Sequence, residues 1–243
     1  MKTYLNSLIV ALAIVLTAVI LANAFRQRNR GADTIAVTGL GSKDFVSDLI
    51  VWKGSFLRRN VVLKDAYAEL DQDRESISKY LISKGIKTEN IIFSAVDIEK
   101  EFQDILDANG NKTRSVFSGY KLLQYVQIES GEVDRVEGIS RQVTELINSG
   151  IEFYSTEPQY YYTKLAELKV EMIAAATKDA ANRAKKIADN AGAGVGRLKK
   201  ADMGVFQIVA QNSSEDYSWG GSFNTASKRK TATITVKLEY ETN

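Results

Sequence analysis

TIAVTGLGSKDFVSDLIVW, residues 34–52, admits two readings. Alternating apolar residues run into Gly39-Leu40-Gly41, and Ser42-Lys43 stand directly behind the glycines. In a phosphate-binding loop such a turn must open a helix, whose free N–H groups and dipole hold the phosphate. Here the next residues are Phe45-Val46-Ser47 and then Leu49-Ile50-Val51-Trp52, a second apolar run of strand character. No helix fits between the two runs, and neither Gly-x-Gly-x-x-Gly nor the P-loop spacing is met. The stretch therefore reads as two strands, 35–40 and 49–56, with the glycines as a bulge or bend between them.

Working outward, Leu63, Ala66, Tyr67, Leu70, Ile77, Tyr80 and Leu81 recur at three and four, which predicts a helix stopped by Gly85. Strands are expected over 91–98 and 116–128, and Asn109-Gly110 between them marks a hairpin tip. Ser130 is placed to cap a helix with the face Val136, Ile139, Val143, Leu146 and Ile147, ending at Gly150. Residues 151–162 read as extended. The longest helix covers 164–191, with a stripe from Leu165, Leu168 and Met172 through Ala176, Ala180, Ala184, Ile187, Ala188 and Ala191. Final strands are expected over 196–210 and 231–241, with a polar loop over 211–228. The order ββα, ββαβ, αββ lacks a regular βαβ repeat, so the fold class is α+β with largely antiparallel sheets. The division expected is a split subdomain, 33–88 plus 163–243, around an inserted ββαβ subdomain, 89–162.

Composition narrows the chemistry. The chain has 243 residues, 44% hydrophobic and 26% charged, enough for a buried core. Its net charge is only +2, so no nucleic-acid partner is expected. It has neither Cys nor His, which excludes disulfides, thiolate nucleophiles, Ser-His-Asp triads and the common zinc and haem ligands. Only carboxylate, Lys, Tyr or Ser/Lys catalysis remains open.

None of the remaining motifs gathers such chemistry. Gly192-Ala193-Gly194-Val195-Gly196 follows a helix, where outward carbonyls repel anions, so it reads as a C-cap. Glu239 and Glu241 share a strand face with Thr233, Thr235 and Lys237, opposite the apolar Ala232, Ile234, Val236 and Leu238. Tyr154, Tyr160, Tyr161 and Tyr162 flank Pro158, and consecutive strand residues cannot all enter one core. Edge-strand packing and a subunit or partner contact both fit them. Trp219, Tyr217 and Lys228-Arg229-Lys230 fit either a plain polar loop or contact with a partner or lipid headgroups. No catalytic, cofactor-binding or metal residue is assigned, and no cofactor is expected.

The N-terminal run stands apart. From Thr3 to Phe25 there is no charge, and a helix over 5–25 would span about 30 Å, enough to cross a bilayer core. An uncleaved anchor fits its length and the following Arg26, Arg28 and Arg30; a signal peptide fits Lys2 and the small-x-small site Ala22-Asn23-Ala24. The three arginines place the following domain in the cytoplasm, whereas a signal-like start with a large following domain points to export.

Three stretches together resemble the SIMPL-domain family: TIAVTGLGSKDFVSDLIVWKGSF (34–56), AANRAKKIADNAGAGVGRL (180–198) and TATITVKLEYE (231–241). Ser47-Asp48, where many members carry Pro-Asp, and the long hairpin around Asn109 depart from the pattern. The resemblance covers roughly 33–243. It implies a two-part α+β fold in an envelope protein, periplasmic or held at a membrane, with no established catalytic residues. Some relatives form ring-like oligomers or are associated with oxidative-stress tolerance, and one outside bacteria is a signalling adaptor. The expectation is thus a non-enzymatic protein of the bacterial inner membrane, single-pass, with its domain in the periplasm, or a periplasmic form released near Ala24. Its partners would be further copies of itself and, through the N-terminal helix, the lipid bilayer. A ligand- or lipid-binding module using a cleft between two subdomains is the alternative.

Overall fold

The computed structural model describes residues 2–29, 34–214 and 218–242, with side chains of 2–11 and 26–29 excepted. Its helices are α1 (Lys2–Asn29), α2 (Leu63–Ser83), α3 (Val133–Gln142) and α4 (Leu165–Ala191). The strands are β1 (Thr34–Val46), β2 (Leu49–Asn60), β3 (Ile91–Phe93), β4 (Asp97–Leu106), β5 (Lys112–Ser130), β6 (Phe153–Ser155) and β7 (Gln159–Tyr161). After α4 come β8 (Val195–Met203), β9 (Gln207–Ala210), β10 (Ser222–Phe223) and β11 (Arg229–Thr242). They form two sheets, one in the order β1-β11-β9-β10 with β8 also on β11, the other β3-β5-β2-β6 with β4 on β5 and β7 on β2. The pairing is mostly antiparallel, as the α+β reading expects; β10 runs parallel to β9.

The chain divides into two compact units. One comprises Met1–Ser42, Val170–Val205 and Thr233–Asn243; the other comprises Lys43–Lys169 and Phe206–Ala232. In the second, β2 and β5 pair from Ile50↔Ser130 to Asn60↔Tyr120. Their even-numbered side chains, including Ile50, Trp52, Phe56, Leu122, Val126 and Ile128, turn to one face and meet Ala66, Leu70, Ile77 and Leu81 of α2. Val136 and Ile139 of α3 close the same core. Asp73 enters this unit buried, and Arg58 binds both of its oxygens, at 2.5 and 2.7 Å. A fork-shaped guanidinium can satisfy both acceptors at once, which is what a buried carboxylate requires.

In the first unit, α4 buries Met172, Ala176, Ala180, Ala184 and Ala188, one residue in four, and β11 buries Ile234, Val236 and Leu238, one in two. The helix ends as expected at Gly192, whose φ of +70° is open to glycine, while Ala193 N donates to Ala188 O. Among the described residues no helix is long and apolar enough to cross a membrane. In the apolar run expected to do so, 5–25, the side chains of 5–11 are not described, nor are those of Lys2, Arg26 and Arg28; Arg30 and Tyr217 lie outside the described residues. From Leu12 to Phe25 every side chain of α1 is exposed.

Several boundaries differ from the sequence reading. The expected strand 91–98 is two strands, β3 and β4, separated at 94–96, and the expected 196–210 is β8 and β9, separated at 204–206. At the second break Gly204 N donates to Thr235 O. The helix expected to reach Ile147 is α-helical only to Gln142, then tightens into a 3-10 turn, Val143–Ser149, before Gly150. Ser130 does not cap α3: it ends β5, and its hydroxyl accepts the N–H of Glu132.

Candidate functional site

Gly39 and Gly41 are not at a bend. β1 runs through them to Val46, and the chain turns at Ser47-Asp48. The reason for the glycines is α4. A Cβ on Gly39 would stand 2.1 Å from Ala176 O and 2.4 Å from Ala180 N, and one on Gly41 2.4 Å from Met172 O. Helix backbone lies directly on strand backbone there, so the expected bulge is replaced by a close-packed seam. Leu40 N is taken by Asp179 Oδ2 at 2.9 Å, an acceptor where a phosphate loop would need a free donor. The glycines thus lie in a strand and do not open a helix as those of a phosphate loop do.

The other sequence candidates are dispersed. Arg197 binds Glu241 through two bonds, 2.9 and 3.0 Å, and Glu239 stands opposite Lys200 in the β8–β11 register. Of the tyrosines, Tyr160 is buried, Tyr161 and Tyr162 are half-buried, and Tyr154 is exposed. Tyr154 faces Ser55, and Ser55 faces the exposed Tyr125, so one row of the sheet carries two tyrosines away from the core. Trp219 is 88% exposed. The basic cluster is no free patch. Lys228 binds Asp134 and Glu137, and Lys230 is 1% exposed. Its Nζ donates to Tyr160 O at 2.5 Å and lies 5.6 Å from the Phe223 ring centroid; burial lowers its pKa to about 8.

The largest feature that sequence periodicity missed is a two-stranded arm. β2 stops pairing with β5 at Tyr120, and outward of it, among the described residues, β5 pairs with β4 alone, out to Leu106↔Lys112. Every residue from 112 to 118 is exposed. The tip is well made. Asp107 accepts the N–H groups of Asn109 and Asn111 at 2.8 and 2.9 Å, and these bonds hold its carboxyl below the usual carboxylate value. Gly110 takes φ +81°.

Among its charged residues the arm carries large apolar side chains in the open. Phe102 stacks edge-on against Phe117 at 5.9 Å, and Phe117 against Tyr120 at 5.1 Å. Tyr120 packs on the buried cluster, so an aromatic ladder leads from the interior out along the arm. Phe102 and Leu106 are each 58% exposed. Ile98 is exposed as well, and at the arm's base the backbone of Gly119 passes Asn60 and Val61, beside exposed Val61, Val62 and Leu63. The residues of this apolar surface are brought together by β4–β5 pairing and by the β2–α2 turn. The signal in sequence was the pairing of Phe102 with Phe117 about the Asn109-Gly110 tip.

A family model for SIMPL, described as a protein of unknown function (DUF541), matches residues 35–240. The chain belongs to the SIMPL family. The SIMPL segment begins in β1 and ends in β11, so it contains the glycine–alanine seam and the arm, and leaves α1 outside. No curated protein matches the chain.

Proposed function

We propose that this SIMPL protein is a non-enzymatic, membrane-anchored component of the cell envelope that self-associates and supports envelope integrity or oxidative-stress tolerance. The observation that carries the reading is the bare aromatic arm. A projecting ribbon with open edges and uncovered Phe102, Leu106 and Phe117 is costly to leave in water, and a partner surface relieves that cost. A second copy is the partner proposed, and the stress and envelope roles rest on the family resemblance.

Anchoring rests on the uncharged run from Thr3 to Phe25, and on α1 leaving Leu12 to Phe25 exposed. The single-pass reading puts the domain in the periplasm; cleavage near Ala24 would release it there. Protease treatment of spheroplasts beside intact cells, with the N-terminus of the recovered chain sequenced, tests both points. The proposal expects digestion in spheroplasts only, with the sequence beginning at or near Met1. Protection in spheroplasts would place the domain in the cytoplasm and end the envelope reading.

A further inference from the structure

In the unit made of Met1–Ser42, Val170–Val205 and Thr233–Asn243, the glycine–alanine seam fixes the direction of the chain. Gly39 lies on Ala176 and Ala180, and Gly41 on Met172 and Ala176, so β1 and α4 run in opposite directions. Thr34 is about 17 Å from Gly39 along an extended strand. Ala191 is about 17 Å from Ala180 along a helix. The start of β1 and the end of α4 are therefore level. β8 starts at the same end, because it follows α4 after three residues and its Val195 pairs with Thr242, at the end of β11. α1 joins here too: its last residue, Asn29, precedes Thr34 by five residues, which reach at most about 18 Å. An α1 that crosses a bilayer sets this end of the unit beside the headgroups.

That end is rich in cations. Between 183 and 200 stand Arg183, Lys185, Lys186, Arg197, Lys199 and Lys200, all exposed, against the single acid Asp189. Arg183, Arg197 and Lys200 pair with Asp179, Glu241 and Asp202. Among the described residues no carboxylate pairs with Lys185, Lys186 or Lys199, and Asp189 and Glu239 are the acids left near them. The sequence between α1 and β1 adds Arg26, Arg28 and Arg30 against Asp33. The whole unit, Lys2 apart, has eleven basic and seven acidic residues, whereas the other unit has twenty and twenty-three. Ile187 and Leu198, each 49% exposed, stand among the cations, and apolar side chains so placed can enter the headgroup boundary. We propose that this end of the unit docks on anionic headgroups of the bilayer that holds α1, Lys185, Lys186 and Lys199 meeting lipid phosphate. The proposal rests on α1 as the anchor and does not need self-association. Such attraction acts within a Debye length and is screened by salt.

The test is acylation of the full chain in lipid nanodiscs by a water-soluble reagent, with the rate at each lysine read by mass spectrometry. Discs of phosphatidylcholine alone are compared with discs that also contain phosphatidylglycerol. Lys185, Lys186 and Lys199 should react roughly fivefold more slowly in the anionic discs, and high salt should restore their rates. Lys79, in the other unit and with its side chain 77% exposed, should react alike in both. Lys185→Glu combined with Lys186→Glu should return Lys199 to its rate in neutral discs; these side chains are exposed, so the fold is kept. A chain absent from both kinds of disc overturns the anchor and the docking together. A chain that inserts but shows equal rates at the three lysines in both discs overturns the docking alone, as it would if a second copy covered them. Equal slowing of Lys79, or slowing that survives high salt, would also overturn it.

Discussion

Gly39 and Phe102 both lie within β-strands, and they show opposite uses of a sheet. At Gly39 the smallest residue lies beneath a helix that leaves no room for a methyl group. At Phe102 one of the largest apolar residues stands in solvent with no helix above it. The same contrast runs within β5. From Tyr120 inward it alternates between buried and less buried residues under α2 and α3; from Ser118 outward it is exposed throughout. What separates the regions is where the helices reach, since the strand continues across the boundary. The seam is therefore closed by a helix, and the arm is left as exposed surface.

The strongest way to break this contrast is at the seam. Gly39→Val puts atoms where Ala176 O and Ala180 N already stand, and main chain cannot swing aside as a side chain would. Denaturant unfolding should show a loss above about 3 kcal/mol, beyond ordinary overpacking. A loss under about 1 kcal/mol would mean that helix and strand are not in contact there. A pair of changes in β5 gives the next effect. Leu122→Ala, in the covered half, should cost about 2–5 kcal/mol. Phe117→Ser, in the bare half, should stay within about 1 kcal/mol. Equal costs would erase the boundary at Tyr120.

Titration separates interior from arm as well. The folded pKa of Lys230, about 8, lies below its ordinary 10.5, so between these values the unfolded chain holds a proton that the folded chain has released. Stability should rise with pH across that window, and Lys230→Met should remove that part of the rise, read as the difference between two unfolding series. The smallest effect belongs to Asp107, whose folded pKa is below 3.8. Its contribution is present above 3.8 and is lost as pH falls through the lower folded value. Because every residue of the tip is exposed, the loss should appear as faster amide exchange at Asn109 and Asn111 without a change in the rest of the arm's sheet.

What could be read from sequence was whatever a local period records. The four-residue stripe of α4 and the alternation Ala232, Ile234, Val236, Leu238 name their buried faces without reference to any partner. The glycines of β1 could not be read that way, because their reason lies in Met172, Ala176 and Ala180, far along the chain. β4 escaped notice because its apolar residues sit among charges. The side-chain pattern of α3 continues into the 3-10 turn, so it does not show where the backbone tightens. The consecutive tyrosines signalled that not all three would enter one core, and Tyr161 and Tyr162 are half-buried beside buried Tyr160; the larger bare surface was the arm.

That the arm is surface for a second copy is tested most directly by the light-scattering mass of the full chain in detergent, measured beside a Phe102→Ser, Phe117→Ser double variant. Association through the arm predicts a defined multiple of the 26.9 kDa chain for the native protein, and a shift toward the single chain, with unfolding little changed, for the variant. A native protein that stays at the mass of one chain at micromolar concentration, or a variant that assembles as the native protein does, would contradict it.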